Sequence, residues 1–210
     1  MAKQPKKPEF LPVNEDDLKP AYRWHRPLQA PGITQVDFEE RVDFKRLHRY
    51  RLARTRQALG NSGLGAMLCF DQYNIRYISS TVIGEWARDK LIRYCLLTGT
   101  GDPWVWDFGS AARHHRLYCP WLHEDHILAG NPGMRGAIGP NVGLFKQAAK
   151  EIKAILKKEG VADMPLGLDI CEPPMLFALQ EEGIEVRDGQ QMMLLAREQK
   201  NHDEITLLNI

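Results

Sequence analysis

Several things are missing from this chain, and each absence narrows what it can be. No apolar run approaches the length of a membrane-spanning helix, and the opening MAKQPKKPEF has positive charge with no apolar stretch behind it. The expectation is a cytoplasmic protein without a secretory leader or membrane partner. Charge of one sign is also lacking: 28 basic residues stand against 27 acidic ones, a formal net charge of +1. That balance offers nothing to nucleic acid or an anionic bilayer. There is no GxSxG, P-loop, HExxH or strand-following GxGxxG, and the glycines of 130–143 do not follow dinucleotide-binding spacing. Cysteine is scarce, four residues with no CxxC pair. Cys69 and Cys95 lie inside apolar runs, which points to buried free thiols in a reducing compartment.

What remains is a chain that is 43% hydrophobic, enough for a real core. Residues 1–36 hold six of the 13 prolines and read as an extended arm, with Tyr22 and Trp24 able to pin it to a surface. From Val36 to Leu59 the apolar positions Phe38, Val42, Leu47, Leu52 and Leu59 predict a long amphipathic helix ended by Gly60 and Gly63. GAMLCF (65–70) predicts a buried strand, and NIRYIS a second extended piece. RYCLLTG (93–99) and DPWVWDF (102–108) predict a hairpin turning on Gly99-Thr100-Gly101. Ser110 is a candidate cap for a short helix stopped by Pro120. DHILAG is a short strand or loop, and NPGMRGAIGPNVG a loop. Leu144–Lys158 is a clear helix, PLGLDI a strand, Pro173–Gln180 a helix ended by Gly183, IEVRDG a strand, and Gln190–Glu198 a helix. The chain closes on a further helix start, with Asn201 as candidate N-cap and Asp203 and Glu204 in the first turn. Helices and short apolar strands alternate, which predicts an α/β fold: a mixed β-sheet with helices packed on it.

Two clusters could carry chemistry. His114, His115, Cys119, His123 and His126 are crowded into HHRLYCPWLHEDH, and His115, Cys119 and His123 have the four-residue spacing of ligands on one helix face. Pro120 breaks that helix, so solvated histidines are the competing reading. Among the aromatics, a strand would place Trp104 and Trp106 on one face, with Val105 opposite. Trp86 sits beside Arg88 in GEWARDK, between two extended pieces. A ring that packs on an apolar body and a guanidinium that grips a carboxylate make a recognition pair. The alternative is a surface tryptophan over an apolar patch. No two carboxylates are anchored for acid–base work.

The order helix LHRYRLARTRQAL, strand GAMLCF and segment FDQYNIRYIS resembles the N-terminal domain of the creatinase, prolidase and aminopeptidase P superfamily. Asn74, Ile75, Tyr77 and Ser79 match its N-I-x-Y-x-(S/T)-G segment, with Ser80 where many members have glycine. The tail LLAREQKNHDEITLLNI is similar to the family linker at Arg197, Lys200, Asp203, Glu204 and Ile205. The resemblance covers roughly residues 40–210 and implies ribonuclease H-like layering. Three parts are expected: an arm (1–36), a creatinase-N-like domain (37–198), and a linker with the first helix turns of a C-terminal domain absent from this chain (199–210). In the family, that domain binds a divalent metal pair (Zn, Mn, Fe or Co) through two Asp, a His and two Glu, so no metal ligand or catalytic residue is assigned here. The resemblance also implies a homodimer in which this domain reaches the partner's active site, with Trp86 and Arg88 contacting substrate. The implied role is substrate gating and dimerisation in a dinuclear-metal enzyme that hydrolyses a C–N bond, in an Xaa-Pro peptide or a creatine-like molecule. Two alternatives stand beside it: the same domain of a dimethylsulfoniopropionate-lyase-like member, and a non-catalytic scaffold module.

Overall fold

A computed structural model describes residues 10–18, 42–82, 93–130 and 139–208. Its elements, in chain order, are α1 (Glu15–Leu18), α2 (Phe44–Ser62), β1 (Ala66–Cys69), α3 (Gln72–Ser79), β2 (Tyr94–Thr98), β3 (Trp104–Asp107), α4 (Gly109–Tyr118), β4 (Ile127–Ala129), α5 (Leu144–Lys158), β5 (Leu166–Leu168), α6 (Pro173–Glu181), β6 (Val186–Asp188), α7 (Gln190–Glu198) and α8 (His202–Leu208).

The strands form one six-stranded sheet in the order β4-β3-β2-β1-β5-β6. Strand β2 runs antiparallel to both of its neighbours, β1 and β3. The pairs β1–β5, β5–β6 and β3–β4 are parallel. Side chains alternate across a strand, and the sheet sorts its residues by that rule. Leu68, Leu96, Trp104, Trp106 and Leu166 face Ile152, Leu156 and Leu179 of α5 and α6. Met67, Cys95, Leu97 and Val105 face the other way, with Leu59, Ile75, Ala112 and Met192 from α2, α3, α4 and α7. The expected α/β layering, and the separation of Trp104 and Trp106 from Val105, therefore hold. Each fully buried Leu or Ile contributes about 1.5–3 kcal/mol.

Five local expectations need correction. NIRYIS is helical: Asp71 caps α3 by accepting from the backbone N–H of Tyr73 and Asn74, and Asn74, Ile75, Ile78 and Ser79 turn inward. Helix α2 begins at Asp43, whose carboxylate accepts from Arg46 N, and not at Val36. Gly60 lies inside that helix; Gly63, at φ 75°, ends it. Ser110 does not cap α4, because Phe108 holds the cap position without a side-chain bond. The arm is extended only in part, since residues Glu15–Leu18 form a helical turn. Residues 19–41, with Tyr22, Trp24 and Phe38, lie outside the described residues. Phe10 packs against the core beside Gly99, and Leu11 N donates to Gly99 O at 2.8 Å. A Cβ on Gly99 would sit 1.6 Å from the Phe10 ring, so only glycine fits.

Candidate functional site

Two polar constellations stand out against the apolar core. The first lies past the carboxyl ends of the parallel strands β1 and β5, where open α/β sheets gather ligands and polar groups. Asp169 follows β5 and is 7% exposed. Its two oxygens accept from Phe70 N at 2.8 Å, Ile170 N at 2.6 Å, Asp71 N at 3.0 Å and Asn74 Nδ2 at 3.0 Å. Burial pushes this carboxyl above the usual carboxylate range, and those four donors pull it partly back. Asn74 Oδ1 in turn accepts from Arg197 Nη1 at 3.0 Å. Asn74 and Arg197, which both carry the family resemblance, are thus joined across 123 residues.

Arg197 opens onto a groove of about 650 Å³, lined also by Arg51, Tyr73, Arg76, Lys200 and Leu208. The last helix is clamped beside it. Asn201 caps α8 by accepting from Glu204 N at 2.9 Å, as its position predicts. Arg46 donates twice to Asp203, at 2.7 Å each. Arg51 Nε donates to Glu204 at 2.9 Å, and Tyr50 OH to Gln199 O at 2.8 Å. The basic face of α2 therefore binds the acidic first turn of α8, where carboxylates also favour the positive helix end.

The second constellation is buried under α3 and α4. Arg93 and Asp107 stand one residue beyond the register pair Tyr94–Trp106 of the β2–β3 hairpin. Arg93 Nε lies 3.2 Å from Asp107 Oδ2, with the side chains 1% and 0% exposed. Burial pushes the Arg93 guanidinium below the usual arginine range, against the pull of Asp107. His115 Nε2 lies 3.0 Å from the same Oδ2. A carboxylate only accepts, so Nε2 carries the proton and Nδ1 faces Cys119 Sγ at 3.8 Å. Burial raises the Cys119 thiol, leaving it a poor nucleophile.

The structure thus brings together His115 and Cys119, but His115 is turned to Asp107 and Cys119 to the His115 ring. His123 lies apart, capping the next turn through Asp125 N, and His126 stacks on Trp104 at 3.7 Å between centroids. Among the described residues no group of three or more His, Cys, Asp or Glu is placed to hold a metal ion. The described residues therefore do not fit the divalent metal pair that the resemblance implies. Trp86 and Arg88 lie outside the described residues. All four cysteines are free. Cys69 and Cys95 are register partners, and burial drives the Cys95 thiol up to about 12.

The buried Arg93–Asp107–His115 group was not anticipated from the sequence. Its signal was there: in RYCLLTG, Arg93 is in phase with buried Cys95 and Leu97, and in WVWDF, Asp107 is in phase with Val105. Opposite charges at inward positions of adjacent hairpin strands announce a buried pair.

No family model matches the chain. In fold it resembles an Xaa-Pro dipeptidase from Bacillus anthracis, at TM-score 0.52 and 14% identity over 75% of this chain and 38% of that one. That likeness shows the fold alone: a mixed six-stranded sheet layered with helices, as the sequence resemblance implied. In sequence it is similar to two curated dimethylsulfoniopropionate lyases: 27% identical over 183 residues to that of Roseovarius nubinhibens, and 29% over 188 residues to that of Roseobacter denitrificans. Each alignment covers 83% of this chain and 40% of the relative, so the chain spans about two fifths of their length. Among the described residues no helix is long and apolar enough to cross a membrane.

Proposed function

We propose that this chain is the substrate-gating, N-terminal portion of a two-part metalloenzyme of the dimethylsulfoniopropionate-lyase type. The observation that carries the reading is the alignment with two such lyases over 83% of the chain. The Xaa-Pro dipeptidase likeness, at 14% identity, speaks for the fold and not for peptide hydrolysis. In this reading the divalent metal pair belongs to the part of the protein that this chain does not span. A homodimer brings the present domain against the partner's reaction centre.

The relatives' substrate name describes a zwitterion, with a sulfonium cation at one end and a carboxylate at the other. Trp86 and Arg88 suit both ends: an aromatic face attracts a sulfonium-type cation, and a guanidinium grips a carboxylate through paired hydrogen bonds. They are binding groups, so their loss should weaken substrate capture more than turnover.

The test uses the full-length enzyme and measures dimethylsulfide release from dimethylsulfoniopropionate alongside cleavage of an Xaa-Pro dipeptide. The expected result is dimethylsulfide and no dipeptide cleavage. Trp86→Ala and Arg88→Ala should each raise KM roughly tenfold with kcat nearly unchanged. Dipeptide turnover without dimethylsulfide would return the assignment to a C–N hydrolase. Wild-type KM in both variants would remove the substrate contact.

A further inference from the structure

Three helices each turn a stripe of side chains toward the groove beside Arg197. Tyr73 and Arg76 come from α3, Leu194 and Arg197 from α7, and Glu204 and Leu208 from α8. Residues three or four apart share a helix face, so each pair is one short stripe. The polar lining is mostly cationic: Arg51, Arg76, Arg197 and Lys200 stand against Glu198 and Glu204. Glu204 is already engaged by Arg51 Nε at 2.9 Å. The apolar lining is left bare, with Leu208 72% exposed, Tyr73 61% and Leu194 56%. Cations beside bare apolar side chains, in one concavity, are what a small organic anion needs.

One guanidinium in this groove is held by a buried relay. A carboxylate only accepts, so Asn74 Nδ2 faces Asp169 and Asn74 Oδ1 is left to face Arg197. Both Asn74 and Asp169 are buried. Packing α7 on α3 does not require the relay, because Tyr77 OH already donates to Ala196 O at 3.0 Å. The relay sets the direction of a planar donor fork. One donor of that fork goes to Asn74, and among the described residues the Arg197 side chain makes no other hydrogen bond or ion pair. The exposed Arg76 side chain makes none among them.

We infer that the groove binds an organic anion, with a carboxylate head gripped by Arg197 and Arg76 and an apolar body lying on Tyr73, Leu194 and Leu208. The inference stands apart from the reaction proposed above, since no residue of the groove is assigned to that reaction. A guanidinium fork matches the two oxygens of a carboxylate. Lys200 adds charge nearby, but its Nζ is committed to the carbonyl oxygens of Arg197 and Glu198.

The test is calorimetric titration of the full-length enzyme with 3-phenylpropionate, its neutral amide and inorganic phosphate. The carboxylate should bind with Kd on the order of 1 mM, and the amide at least roughly tenfold more weakly. Arg76→Gln and Arg197→Gln should each weaken the carboxylate roughly tenfold. A carboxylate bound at the reaction centre would be blind to both changes, so wild-type affinity in the two variants overturns the inference. If Arg197→Gln fails to fold, Arg76→Gln decides alone, because its exposed side chain holds nothing among the described residues. Phosphate binding as tight as that of 3-phenylpropionate would mean that the groove reads charge only, and the apolar body is then wrong. No saturable binding up to about 10 mM would mean that the rest of the protein covers the groove, which also overturns the inference.

Discussion

Two of the arginine–aspartate pairs in the domain, Arg46–Asp203 and Arg93–Asp107, sit in opposite surroundings. Arg46 meets Asp203 at the rim of the domain, with Arg46 36% exposed and only the aspartate sealed. Arg93 meets Asp107 in the interior, with neither reachable by water. At the rim, the geometry is bidentate, with two donors at 2.7 Å and Asp43 N adding a third bond to the same carboxylate at 3.1 Å. In the interior the contact is a single longer approach of 3.2 Å, and Nη2 donates to Thr81 instead. The rim pair is built to hold α8 on α2. The interior pair ties the residues after α3 to the β2–β3 hairpin through Thr81, and solvent cannot relieve either partner if the other is lost.

That contrast can be broken by experiment. The largest effect should come from Asp107→Ala, which strands Arg93 in the core. Unfolding in urea is expected to show a loss of about 3–5 kcal/mol, insensitive to salt. A loss under about 1 kcal/mol would mean that water reaches the site. Asp203→Ala removes two charge-assisted bonds and a backbone contact at a partly wet site. About 2 kcal/mol should be lost there. The deficit relative to wild type should shrink in 1 M salt, where the Debye length falls to roughly 3 Å. Equal salt dependence in the two variants would erase the distinction. The smallest effect concerns Ser80, the described non-glycine residue with positive φ, at 57°. Ser80→Gly relieves about 1 kcal/mol of left-handed strain, offset by the freer unfolded chain, for a net gain of about 0.5 kcal/mol. The gain is read as a rise in Tm; a fall would mean that the contacts of the Ser80 side chain outweigh the strain.

Much of the framework was legible because its signals are local. Helix α5 has five inward apolar or alanine positions, and α7 lies between Gly189 and an extended Gln199. The hairpin announced itself through Gly99 and Gly101, and Asn201 through its cap geometry. Failures arose where two local signals competed. In NIRYIS the residues Ile75, Tyr77 and Ser79 alternate like a strand, yet Asp71 supplies a cap, and burial of Asn74, Ile75, Ile78 and Ser79 follows a helical stripe. Helix α2 began late because the apolar residues before Asp43 hid a stronger capping signal. The tail motif located Asp203 and Glu204 but could not reveal that Arg46 and Arg51, over 150 residues earlier, would receive them. Long-range pairs of this kind are invisible to spacing, although the Arg93–Asp107 pair could have been inferred once the hairpin register was drawn.

The seat of Phe10 on Gly99 also bears on how shortened versions of this protein should be cut. A chain started at residue 37 would leave the hairpin tip without its aromatic cover and free the Gly99 carbonyl that Leu11 now engages. Such a preparation should be less soluble and more prone to self-association than one begun a few residues ahead of Phe10.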